Sequence, residues 1–139
     1  MKFSIIIVTI HSTSIIFGVF STENTLEDLK WKKNVIMLFP QSAEVEMAFT
    51  DSVDLKMQSR ELVWFVISDS LYSNTALHFS EEYIGELKTR YLLGSKSSCW
   101  VLLGKDGGLK IRKEEQLDWD RIIATVDSIP FSNGDFIWE

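Results

Sequence analysis

Residues 99–112 read CWVLLGKDGGLKIR. An apolar run, a Lys-Asp-Gly-Gly break and a second short run spell strand, tight turn, strand. Asp106-Gly107 is a strong short-range hairpin signal, because a two-residue type I′ turn needs positive φ at both central positions. The predicted strands cover residues 99–103 and 109–112 and pair antiparallel. An amphipathic helix follows. Asp118 stands where a cap is needed, and Trp119, Ile122, Ile123 and Val126 recur at the spacing of one helical face. Pro130 stops that helix.

Strand and helix alternate upstream of this segment. Leu26, Leu29 and Trp31 mark a short helical pattern, with Thr25 as its cap and Glu27 and Asp28 in the first turn, where the helix dipole favours acids. Residues 35–39, VIMLF, and 62–67, LVWFVI, are continuous apolar runs of strand length, the pattern of strands covered on both faces. Between them, Ser42 caps a predicted helix with apolar positions Val45, Ala48, Phe49 and Val53. Residues 68–75 are polar and read as a loop. Ser80 caps another helix, with Glu81 and Glu82 in its first turn and Tyr83, Ile84, Leu87 and Tyr91 along one face. The tail, FSNGDFIWE, carries Phe136, Ile137 and Trp138, apolar enough to pack back on the body.

A strand–helix–strand unit imposes parallel pairing with a right-handed crossover, whereas the closing hairpin is antiparallel. The expected class is therefore α/β. The order βαβ then ββα predicts a thioredoxin-like three-layer sandwich, with a central mixed sheet of about four strands and helices on both faces.

Composition narrows the function classes. The chain has 139 residues, 45% of them hydrophobic, enough for one domain with a real core. Its net charge of -6, with no basic cluster in the sequence, disfavours nucleic acid and anionic membrane surfaces as partners. The single cysteine excludes an internal disulfide and a cysteine-based zinc site. Lys2 followed by FSIIIVTI, a polar HSTS and IIFGVF has the form of a secretory signal. Val19 and Ser21 suit the small-residue positions before a cut, which divides the chain into residues 1–21 as signal peptide and 22–139 as one domain. The second reading of this stretch is a buried N-terminal strand, since β-branched residues dominate and HSTS interrupts the run. No unbroken run reaches the length of a membrane-spanning helix. The expectation is an exported chain, periplasmic or extracellular.

Leu29-x-Trp31, VIMLFPQSA (35–43), Arg60-Glu61-Leu62-Val63, LLGKDGGLKIR (102–112) and Ile122-Ile123-x-x-Val126-Asp127-x-Ile129-Pro130 together resemble the family catalogued as domain of unknown function 4174. The resemblance covers residues 26–130, and GKDGG-x-K is its most specific part. Such domains occur in small exported bacterial proteins and in animal extracellular-matrix proteins of the sushi-repeat and coiled-coil-domain type. The resemblance implies a thioredoxin-like fold and carries no established activity.

The redox chemistry of that fold needs residues that this chain lacks. An active member places Cys-x-x-Cys after its first central strand, where a helix N-terminus lowers the thiol pKa. Here residues 40–44 are PQSAE. It also places a cis-proline before its third strand, where residues 96–99 are KSSC. Cys99 has two readings: an inert core thiol, or a reactive thiol that pairs with a partner. Lys105-Asp106-Gly107-Gly108 leads into a strand and not a helix, so it is no P-loop. It reads as a turn, with Lys105, Asp106, Lys110 and Arg112 as a candidate recognition surface. Asp69, Glu81 and Glu82 fit loop and capping roles better than acid–base catalysis, and His78 has no Asp or Cys neighbour in sequence. Trp31 and Trp138 are candidates for a partner-binding patch. No catalytic, cofactor-binding or metal-binding residue is expected. The function reading is a non-enzymatic binding or scaffold module for a protein or envelope component. The alternative is a redox-linked or otherwise unfamiliar enzyme acting through Cys99.

Overall fold

A computed structural model describes residues 23–41 and 51–129. A one-turn 3-10 helix, Leu26–Leu29, precedes β1 (Asn34–Phe39). Then come α1 (Asp51–Gln58), β2 (Leu62–Ile67), β3 (Leu71–Ser73), α2 (Glu81–Leu92), β4 (Cys99–Leu103), β5 (Leu109–Lys113) and α3 (Trp119–Ser128). The strands form one mixed sheet in the order β3-β2-β1-β4-β5. β1 and β2 are parallel, while the β1–β4, β2–β3 and β4–β5 pairs are antiparallel.

The period of two along each strand sorts the core into two clusters. Val35, Met37 and Phe39 of β1, Val63, Phe65 and Ile67 of β2, and Cys99, Val101 and Leu103 of β4 share one cluster with Leu87 and Tyr91 of α2. Ile36 and Leu38 of β1, Leu62 and Val66 of β2, and Trp100 and Leu102 of β4 share the other with Met57 of α1 and Ile122 and Val126 of α3. Helices thus cover both faces, which is why the central strands are apolar at successive positions. Phe65 stacks at 4.7 Å on Phe79, which meets Tyr83 edge-on at 5.3 Å.

Local chemistry sets the helix ends. Ser80 Oγ accepts from the Tyr83 N–H at 3.2 Å, and Asp118 Oδ1 accepts from the Arg121 N–H at 3.1 Å. α2 closes with Leu93 and Gly94 in the left-handed region, at φ 52° and 77°. The Arg112 guanidinium donates to the Tyr91 and Leu92 carbonyls at 2.7 Å each, satisfying acceptors that a helix C-terminus leaves open. Arg60 grips Asp127 of α3 with two bonds of 2.8 and 3.0 Å.

Three expectations need correction. The sheet has five strands rather than about four. The segment expected to be a loop contains β3, which is too short and polar to show strand periodicity. It is held by the Ser68–Ser70 turn, and Asn74 Oδ1 extends its ladder by accepting from the Trp64 N–H at 2.9 Å. The described part of the first predicted long helix, Asp51–Gln58, contains Val53 of its stripe and adds Met57 as a buried position. Its proposed cap Ser42 and stripe Val45, Ala48 and Phe49 lie outside the described residues, as do the first twenty-two positions and the tail with Trp138. The β4–β5 turn is not type I′. Gly107 has φ 77°, Asp106 is not in the positive region, and Gly104 bonds to both Gly107 and Gly108. That makes a three-residue turn with glycine at its left-handed position, and the register shift between Leu102 and Leu103 absorbs the extra residue.

Replacing Ser80 or Asp118 by alanine is expected to cost about 1 kcal/mol each. A lowered urea midpoint with unchanged slope is the readout.

Candidate functional site

The hairpin expected as a recognition surface is tied inward. Lys105 is a buried cation. Its ammonium pairs with Glu61, and its carbonyl accepts from the Trp31 N–H. Trp31 and Glu61 both hold left-handed backbone, at φ 65° and 50°, a conformation that side-chain-bearing residues seldom adopt. Asp106 and Lys110 pair across the turn at 2.9 Å, and the Asp106 carboxylate also accepts from the Gly108 N–H. This pair lies over Gly104, where an added Cβ would stand 2.5 Å from Lys110 Cε and 2.9 Å from Asp106 Oδ1. Arg112 faces the end of α2 and also meets Glu114 at 2.7 Å. The four residues therefore occupy one hairpin, and each has an intramolecular partner of opposite charge.

A shallow cleft lies beside the hairpin. It holds about 410 Å³ of space, part of it open to solvent. The 3-10 turn, α2, the start of β1 and the hairpin residues Gly104 and Gly107 line it. Leu26, Leu29, Val35 and Leu103 contribute apolar surface, and Lys30, Lys33 and Arg90 contribute positive charge. Glu27 is the one carboxylate among the lining residues, and it pairs with Lys30 at 3.5 Å. The Lys33 and Arg90 side chains form no hydrogen bond or ion pair among the described residues. The Tyr83 hydroxyl accepts from the Leu26 N–H at 3.1 Å, joining the two walls. Burial pushes the Tyr83 phenol up, while the nearby Arg90 opposes that effect. The cleft had no signature in the sequence beyond Lys32-Lys33 following Lys30, because Tyr83 and Arg90 reach it from a helix about fifty residues away.

Cys99 is fully buried against α2, with Sγ 3.9 Å from the Tyr91 carbonyl. Burial raises its thiol pKa, which disfavours the nucleophilic thiolate. Ser98 Oγ accepts from the Gln41 N–H at 3.0 Å, so the end of β1 and the approach to β4 touch. Trp31 is 60% exposed, and its indole stands at the surface beside the 3-10 turn. Asp69, His78, Glu81 and Glu82 are exposed, and the His78 backbone N–H bonds to Asn24 Oδ1 at 3.3 Å. No described helix is long and apolar enough to cross a membrane.

These features define a mixed α/β domain with a buried core thiol and a cation-lined cleft. A family model described as "Domain of unknown function (DUF4174)" matches residues 25–134, most of the chain. The protein belongs to that family. No curated protein and no solved structure is significantly similar to it.

Replacing Lys105 by methionine is expected to cost about 1–2 kcal/mol, since it leaves Glu61 without its cation. Chemical denaturation of the variant measures this. The Lys105 ammonium holds the Glu61 carboxyl below the usual carboxylate range, and Lys110, Arg112 and Arg60 do the same for Asp106, Glu114 and Asp127. Depressed folded-state values mean that these groups stabilise the fold above their unfolded pKa. That contribution is lost as pH falls through the folded values. The melting temperature should therefore drop on acidification, and the part due to Glu61 should shrink in Lys105→Met to what Lys33 alone supplies.

Proposed function

We propose that this is an exported, thioredoxin-like domain that works as a non-enzymatic binding or scaffold module. Three observations support the frame. β1 and β2 are parallel, β4 and β5 close the sheet as an antiparallel hairpin, and helices cover both faces. In such a frame, the segment after β1 and the residue before β4 would carry the dithiol and the cis-proline. Here Gln41 and Ser98 meet through a hydrogen bond. The observation that carries the loss of redox chemistry is Cys99, the chain's one thiol, sealed in the core with its pKa raised. Disulfide exchange needs an accessible thiolate, and this site offers neither access nor ionisation. Of the four hairpin residues, Lys105 is buried and anchors the turn, while Asp106, Lys110 and Arg112 contribute to this reading as a surface of internally matched charge for a protein or envelope component. Export rests on the charged start and apolar stretch of residues 1–20.

A thiol reagent should modify Cys99 more than about 100-fold slower in the native protein than in denaturant, since access requires opening the core. Insulin disulfides and peroxide should not be turned over. Fast native modification or catalytic turnover would overturn the redox-silent reading. Mass spectrometry of the protein from its natural source should find an N-terminus near Thr22, and an intact Met1 would refute cleavage.

A further inference from the structure

We propose that the cleft between the 3-10 turn, α2 and the β4–β5 hairpin binds a compact oxyanion, a carboxylate or a phosphate, carried by the partner of this domain. The inference deepens the binding-module reading and takes its biological meaning from it.

The charge distribution carries the argument. The chain is acidic, with a net charge of -6, yet Lys30, Lys33 and Arg90 line one cleft against the single carboxylate Glu27. Elsewhere Arg60, Lys105, Lys110, Arg112 and Arg121 are each matched by an acidic partner. Lys33 and Arg90 have no ion-pair partner among the described residues, as Lys56, Lys96 and Lys113 have none, but these two line the cleft, where Lys33 also feels the Glu61 carboxylate from outside it. With three cations to one carboxylate along its lining, the cleft favours an anion over a cation.

The lining also suits an oxyanion in shape. Arg90 brings a planar fork of donors and Lys33 a point charge, the combination that grips carboxylate or phosphate oxygens. Tyr83 uses a lone pair to accept from Leu26, which leaves its O–H free to donate. Leu26, Leu29 and Leu103 form an apolar floor that lowers the local dielectric and strengthens each of these contacts. The Tyr83–Leu26 bond ties the 3-10 turn to α2, so two walls of the cleft are fixed to one another before an anion enters. The cleft is shallow, with about 50 Å³ of enclosed space, room for a small charged group rather than a drug-sized ligand.

The test is an amide NMR titration of the full chain with inorganic phosphate, sodium acetate and sodium chloride at matched ionic strength. Saturable shifts at Lys30, Lys33, Arg90 and Gly104 with phosphate or acetate, and none with chloride, are expected. The tighter of the two identifies the oxyanion class. The K33Q/R90Q variant should weaken binding by about tenfold or more. The K96Q/K113Q variant, which removes the same charge outside the cleft, should bind as the wild type does. The single R90Q variant reads the same site if the double variant fails to fold. Absence of saturable shifts with both anions, or equal weakening in the two double variants, overturns the proposal. A positive disulfide-reductase assay would instead defeat the binding-module reading and leave the titration result intact.

Discussion

β1 is the element on which the rest depends. All six of its residues are buried, and it lies between two other strands. A strand in that position must find partners for its backbone on both edges and apolar cover on both faces, because an unpaired buried peptide group is costly. The parallel register with β2 and the antiparallel register with β4 supply the first requirement. The helices on either side supply the second. Even Asn34, its polar first residue, is fully buried and donates from its backbone to Glu61 and from its side chain to Arg60.

The same end of the sheet gathers the polar architecture. Glu61 leads from α1 into β2, Lys105 leads out of β4, and Trp31 leads towards β1. All three meet at Lys105, through one ion pair and one backbone hydrogen bond. Two of the three left-handed non-glycine residues, Trp31 and Glu61, engage this lysine. Backbone strain of this kind persists only where surrounding contacts over-determine it. The hairpin motif that dominates the sequence therefore works inward as a fastener, and the adjoining cleft takes part of its wall from the two glycines.

How much of this was legible in the sequence follows from the range of each signal. The buried strands, the caps Ser80 and Asp118, and the closing hairpin rest on neighbouring residues, so composition and spacing reveal them. β3 escaped because three residues cannot display a period, and an asparagine side chain completes its pairing. The turn type escaped because Lys-Asp-Gly-Gly suits a two-residue or a three-residue loop, and the register shift at Leu102 and Leu103 selects between them. The candidate site was the least legible part. Glu61 and Lys105 are forty-four positions apart, and the cleft brings Lys33 to Arg90 across still more of the chain. Long-range pairing of this kind leaves no local pattern.

The two rims of the sheet bear on how the protein behaves when crowded. An open strand edge is a template for a further strand and thus for aggregation. On one side β3 ends after three residues, and Asn74 already occupies the next bonding position on β2. On the other, β5 is irregular beside the bulge and carries Lys110, Arg112 and Lys113. Stacking a second copy edge to edge would desolvate Lys113 and the Lys110–Asp106 and Arg112–Glu114 pairs, or force a strand onto a side already closed by an amide. Among the described residues, the consecutive apolar strand positions thus stand in the middle of the sheet, and its borders are short, irregular or charged, the features that disfavour edge-to-edge pairing.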